Sequence, residues 1–382
     1  MLDAHRPMRL PSKPARLLYV DNLRVLTIAL VVLQHAAVTY SGLGSWYYKE
    51  SAPLGQIEFL FFGLWQTHAQ AFFMSLFFLL AGYFVPASFA RKGPRGFLVD
   101  RFYRLGVPLL IYVLVLHPLL VKILQPNLDV ADYLLDGLRT REIFSWTGPL
   151  WFVEALLVFT VAALPFLGRL RRPPTSSAAG LPATAIWTLI ALVAAAAFSI
   201  RLVFPIGTSF ANLQFCYFAA YIAAFAVGVL AGARGWFERI SFRAAKRWLL
   251  AAFGLGLPLW LCAVVAGGAL EGRNGIDGGP NLGAFLYALW ESFFCVAFII
   301  ALLGIARAKL DFQKPWMRFL ADNTFGVYVF HAVVLVAVSL ALKPLTLPAI
   351  PKFALVSTLA LAGSFLVAWA VRQVPPLRRL FS

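Results

Sequence analysis

Apolar residues fall in runs of about 18 to 22, separated by short clusters of charge, proline and glycine, and these runs recur along the whole chain. Coiled as a helix rising about 1.5 Å per residue, such a run covers the roughly 30 Å hydrocarbon core of a bilayer. The pattern predicts spans at about 20–40, 58–85, 106–124, 149–168, 183–204, 213–232, 248–269, 282–304, 324–342 and 353–371. This is an all-α, polytopic membrane protein, a bundle of about ten transmembrane helices. The second run carries Gln66, His68 and Gln70 in its first half and is expected to form a tilted or broken helix. A basic tail, 1–19, and a short basic tail, 372–382, flank a single membrane domain, 20–371. The run after the first tail is full length and lacks a small-residue cleavage site, so it reads as a membrane helix rather than a signal peptide. No helical-repeat or propeller period is visible, and no inverted repeat of the transporter kind.

Composition strengthens this picture. Of 382 residues, 61% are hydrophobic and 13% charged, against roughly half and a quarter in soluble domains. The formal charge of +17 comes from Lys and Arg clustered between apolar runs, which argues for topology and against nucleic acid. Alternate loops divide sharply: 24 of the 33 basic residues fall on one set, including Arg6, Arg9, Lys13, Arg91, Lys92, Arg101, Arg104 and Arg172. The positive-inside rule makes those faces, and both termini, cytoplasmic. The opposite loops hold acids such as Glu50, Asp129, Asp132 and Asp277, and the aromatics Trp46, Tyr47 and Tyr48, which suits a face where an acceptor arrives. The longest of them, about 125–148, is expected to hold a short interfacial helix. Cys216, Cys262 and Cys295 lie inside apolar runs and have no metal or disulfide spacing.

Several polar residues sit inside the spans, where ionisable groups are costly. Arg24 and His35 are eleven residues apart, about three helical turns, so they share a face about 16 Å apart along the axis. A histidine at that depth can serve as general base toward a hydroxyl. The plainer reading is an interhelical hydrogen bond by His35 and a snorkelling Arg24. Asp21 reads as an N-cap or a partner of Arg24. Arg101 and Arg104, three residues apart ahead of Pro108, share a face if helical and can clamp phosphate oxygens; the alternative is ordinary positive-inside charge. Glu291 lies near mid-span and needs a partner or a proton. Glu154 follows Trp151 by three residues, His331 shares a face with Tyr328, His68 lies in the polar stretch of span two, and His117, before Pro118, reads as structural.

Five stretches occur in an order that resembles the membrane acyltransferase-3 family. They are Arg24-x10-His35, Leu79-Leu80-Ala81-Gly82-Tyr83-Phe84, Arg101-x2-Arg104 with Pro108, Gly148-Pro149-Leu150-Trp151-Phe152, and Asn323-Thr324-Phe325-Gly326-x-Tyr328-x2-His331. The resemblance implies a bundle of about ten helices that moves acyl groups from cytoplasmic acyl-coenzyme A to acceptors, often sugars, outside the membrane. It makes His35 the catalytic histidine, as general base or transient acyl carrier, Arg24 its motif partner, orienting the donor or the helix, and Arg101 and Arg104 the donor-binding pair. His68, Glu154, Glu291, Tyr328 and His331 are acceptor-side or supporting candidates. The stretch from Tyr19-Val20-Asp21 through Thr39-Tyr40-Ser41 to Trp46, with His68 ahead of Phe77-Phe78-x3-Gly82-Tyr83-Phe84, is similar to the branch that succinylates periplasmic glucans. Other branches place a Glu five residues after a Trp in span four, a pattern from which Glu154 departs. Some carry a soluble esterase-like domain; here the chain stops eleven residues past span ten, so acceptor delivery is expected to rely on the membrane domain and its loops.

The expectation is therefore a multi-pass O-acyltransferase of a bacterial cytoplasmic membrane that moves an acetyl or succinyl group to an extracytoplasmic carbohydrate. Acyl-coenzyme A is the co-substrate, with no metal, no tightly bound cofactor and no nucleic acid partner. The rivals are a proton-coupled transporter of an anionic solute, using Arg24, His35 and Glu291 as a path, and a non-catalytic assembly subunit in which the histidines only pack.

Overall fold

The computed structural model describes residues 16–50, 53–171 and 182–381; the expected basic positions Arg6, Arg9, Lys13 and Arg172 lie outside these. Among the described residues there is no strand beyond an isolated bridge between Phe210 and Leu213. The helices in order are α1 (Leu18–Ser41), α2 (Gln56–Tyr83), α3 (Val85–Leu124), α4 (Val130–Thr140), α5 (Trp151–Leu167) and α6 (Ala183–Arg201). They continue with α7 (Phe218–Arg234), α8 (Phe242–Ala266), α9 (Leu282–Lys309), α10 (Pro315–Ala341) and α11 (Ala349–Gln373). Nine of the described helices are long and apolar enough to cross a membrane, and the protein is a polytopic membrane protein. The tenth expected span, α2, has 28 residues, but Gln66, Thr67, His68 and Gln70 keep its middle polar. Of the two forms expected, tilted or broken, the broken one is absent, since α2 is one continuous helix; packing against α1, α7 and α9 shelters its polar stretch.

Helix α1 sits at the centre, in contact with α2, α9, α10 and α11. Its apolar positions are buried nearly all round, and Gly42, with φ 70°, ends it by donating to Val38 O at 3.1 Å. The α2–α7 seam depends on missing side chains: a Cβ on Gly228 or Gly232 would collide with the carbonyls of Leu79 or Tyr83, and one on Gly82 with that of Phe225. Gly228-x3-Gly232 is thus a close-approach motif of the kind membrane helices use.

Residues 86–105, expected as a loop, are helical and belong to the 40-residue α3. Gly93 breaks its direction at φ 69°, ψ 173°, because Pro94 bars its predecessor from the helical region and only glycine takes that φ freely. Further on, Phe102–Gly106 and Tyr112–Leu116 widen into π turns. Each contains the residue four before a proline, Arg104 before Pro108 and Leu114 before Pro118, where the ring clashes with that carbonyl and the N–H is missing. The charged segment is therefore bent over the bundle end as a folded helix. The expected interfacial helix is α4: Asp129 caps it, accepting from Ala131 N at 2.8 Å and Asp132 N at 3.0 Å, which holds its carboxyl below the usual range. Its Leu135 and Leu138 are exposed, as suits a helix lying at a membrane surface. After α11 the chain folds back, burying Leu380 and Phe381, the latter against Phe330 with ring centroids 5.1 Å apart.

Candidate active site

At one end of the bundle, α1 presents Arg24 to a cavity of about 360 Å³. Asn22 fixes that end of α1, donating to Leu310 O at 2.7 Å and Phe312 O at 2.9 Å in the α9–α10 turn. Asp21 does not cap the helix, since the N-cap is Leu17; it accepts from Arg16 and leaves Arg24 to the cavity. Arg24 remains exposed although helices surround it, because its surface is cavity wall. The folded α3 adds Arg91, Lys92, Arg101 and Arg104 to the same wall. Lys92 pairs with Asp100 at 2.5 Å, and the Arg101 guanidinium lies 5.2 Å from the centre of the Phe97 ring. Farther in, the wall turns apolar with Ile28, Phe77, Leu80, Phe152 and Leu156, and it ends at Phe325 and Tyr328. The cavity is thus amphipathic, with a cluster of guanidiniums at one end and a greasy channel behind it.

Beyond that inner end lie three nearly parallel rings. His35 stacks on Trp46 with centroids 3.8 Å apart and planes 16° apart, and on His331 at 5.3 Å and 21°. His35 is partly uncovered and His331 fully buried. His331 Nδ1 lies 2.7 Å from Tyr328 O; a carbonyl can only accept, so Nδ1 carries the proton and Nε2 keeps its lone pair, with no partner among the described residues. The Tyr328 hydroxyl in turn donates to Pro149 O, tying α10 to the Gly148-Pro149-Leu150 turn ahead of α5. Gly148 (φ 49°) has no room for a Cβ beside the Tyr47 and Tyr112 hydroxyls. Tyr47 lies 2.9 Å from His117 Nδ1, and Tyr133 lies 3.0 Å from His117 Nε2. With both ring nitrogens bonded, His117 links the loop after α1 to α3 and α4. Burial pushes the Tyr47 phenol up to about 12, so it keeps its proton.

The expected site residues thus sort into groups. Arg24, Arg101, Arg104 and Tyr328 line one cavity, and His35 and His331 gather past its inner end, His331 beside Tyr328. Glu154 does not line the cavity, although Phe152 and Val153 just before it do, and its Oε2 is buried without a hydrogen-bond partner among the described residues. His68 is elsewhere, bonded through Nδ1 to Leu64 O at 2.9 Å and boxed by Trp260, Trp290 and Phe294 with centroids 5.0 to 5.5 Å away. Glu291 is elsewhere too: it pairs with the fully buried Arg201, whose guanidinium lies 5.5 Å from the Tyr217 and Tyr287 rings. Glu291 therefore has the partner that its depth in the membrane requires. The sequence reading did not single out Arg201, although an arginine inside an apolar run is itself a signal. Trp46 figured there as an outer aromatic and as the end of a family-like stretch, not as a partner of His35, and Lys352 was passed over. Among the described residues no three His, Cys, Asp or Glu side chains are grouped to hold a metal.

No curated protein matches the chain. A family model described as an acyltransferase domain matches residues 17–369, from the first turn of α1 nearly to the end of α11. The chain belongs to the acyltransferase-3 family. This acyltransferase is a transferase of groups other than aminoacyl groups, and both the basic cavity and the His35–His331 pair lie inside the matched domain.

Proposed function

We propose that this acyltransferase takes an acetyl or succinyl group from cytoplasmic acyl-coenzyme A and passes it to a carbohydrate hydroxyl on the outer side of a bacterial cytoplasmic membrane. The observation that carries this reading is the cavity: Arg24, Arg91, Arg101 and Arg104 around one end, an apolar channel behind them, and His35 and His331 past its inner end. Coenzyme A has the same polarity, with phosphates at one end and a thin pantetheine arm at the other. Flat guanidinium forks match phosphate oxygens, and Ile28, Phe77, Leu80 and Phe152 suit the arm. The basic end is the one that the positive-inside rule assigns to the cytoplasm, which puts both termini there and the Trp46 end outside.

In this mechanism the acceptor hydroxyl oxygen attacks the thioester carbonyl carbon and the carbon–sulfur bond breaks. His35 takes the hydroxyl proton and returns it to the departing thiolate, so no net proton is left behind. His331, with Nε2 unprotonated, stands beside it as a second base. Likeness to the glucan-succinylating branch supports a periplasmic glucan among the carbohydrate acceptors. The test is donor binding by an Arg101→Ala, Arg104→Ala variant in nanodiscs. Its affinity for acyl-coenzyme A should fall at least about tenfold, and the wild-type protein should bind more weakly as salt rises. Unchanged affinity in the variant would return both arginines to a topological role.

A further inference from the structure

The His35 side chain makes no hydrogen bond among the described residues, so ring stacking alone sets the plane of its imidazole. The closer of its two ring partners, Trp46, stands on the loop between α1 and α2, not on a helix. What fixes that loop therefore fixes His35. Glu50 N donates to Thr39 O at 2.8 Å, turning the loop back along the last turn of α1. The Glu50 carboxylate accepts from Lys352 Nζ, in the first turn of α11, and Lys352 also reaches Lys343 O at 3.3 Å. Past the loop, Glu58 Oε1 accepts from Ala349 N at 3.0 Å and its Oε2 from Gly55 N at 2.9 Å. Both carboxylates thus hold the same helix end. Lys352 is only 3% exposed, and a buried ion pair returns little more than its desolvation takes. Stability alone gives poor reason for a lysine there.

We propose that Lys352 is a positioning residue: its ion pair with Glu50 clamps the loop that lays Trp46 on His35, fixing the imidazole plane and shielding that face from water. The proposal rests on the reading of His35 as base. The clamp lies at the opposite end of α1 from Arg24, so it acts on the transfer step and leaves donor binding alone.

The experiment uses the full chain in nanodiscs with Lys352→Met, Glu50→Gln, and the charge swap Glu50→Lys with Lys352→Glu. One readout is the rate at which diethyl pyrocarbonate modifies His35, followed by peptide mass spectrometry. The other is the split between kcat and KM with acetyl- and succinyl-coenzyme A. Both single variants should speed modification of His35 several-fold and lower kcat by about 10- to 100-fold, the scale expected when a reacting group is displaced by about 1 Å. The donor KM should not change, and the charge swap should recover both readouts. If Lys352→Met does not reach the membrane, Glu50→Gln carries the same test, because Lys352 keeps the Lys343 carbonyl. A wild-type modification rate in the single variants would overturn the clamp. An absence of turnover by the wild-type protein with either donor would count against the proposed function, and the modification rates would still decide the clamp.

Discussion

Replacing Glu291 by Leu should be among the most damaging changes outside the site, and the reason is the partner it leaves behind. Arg201 is fully buried, Glu291 is the carboxylate it pairs with, and its Nε and Nη1 have no hydrogen-bond acceptor among the described residues. A guanidinium cannot shed its proton, so it must stay charged or drag water inward. Breaking a buried pair in this way costs about 3–5 kcal/mol. The faces of Tyr217 and Tyr287 offset part of that, about 0.5–2 kcal/mol each at best. Arg201→Met should cost less than Glu291→Leu, since a stranded carboxylate can escape its charge by taking a proton. The double variant Arg201→Met, Glu291→Leu should recover most of the loss, because apolar replacement of a whole buried pair is often neutral. Thermal unfolding in one detergent, with donor turnover measured on the surviving folded protein, checks the order. A double variant that is stable yet inactive would refute the reasoning and make Glu291 a working acid.

Two further outcomes follow from other parts of the fold. Gly228→Leu should abolish accumulation of folded protein, because the side chain would enter the space of the Leu79 carbonyl across the α2–α7 seam; normal levels on a membrane immunoblot would show that the helices can part. A cysteine at Ala90 should react with an impermeant thiol reagent only in opened cells and one at the exposed Glu271 in sealed cells; labelling at Ala90 in sealed cells would invert the topology.

Hydropathy located the spans because the hydrocarbon core imposes their length, and it failed where charge or polarity masked a helix. Residues 86–105 looked like a loop because Arg91, Lys92 and Arg95 dilute their apolar face, yet they fold over the cavity as the start of α3. Helical spacing correctly joined Tyr328 to His331, since both lie on one helix. It had no means of joining either to Pro149, or His35 to Trp46, because loop and turn paths have no period. The Arg201–Glu291 pair spans 90 residues and two helices, and nothing local in either run names the other. The arginine cavity is intermediate: each half was visible as a motif, but that Arg24 meets Arg101 and Arg104 depends on the Gly93 kink and the π turns of α3.

The central claim is that His35 moves the proton in acyl transfer, and turnover by His35→Gln tests it most directly. Glutamine keeps a hydrogen-bonding side chain of similar reach at the face of Trp46 without a titratable imidazole. Measured as coenzyme A release with a glucan acceptor, at matched levels of folded protein, the rate should fall about 10²- to 10⁴-fold while donor affinity holds. Wild-type turnover in that variant would contradict the account and transfer the role of base to His331.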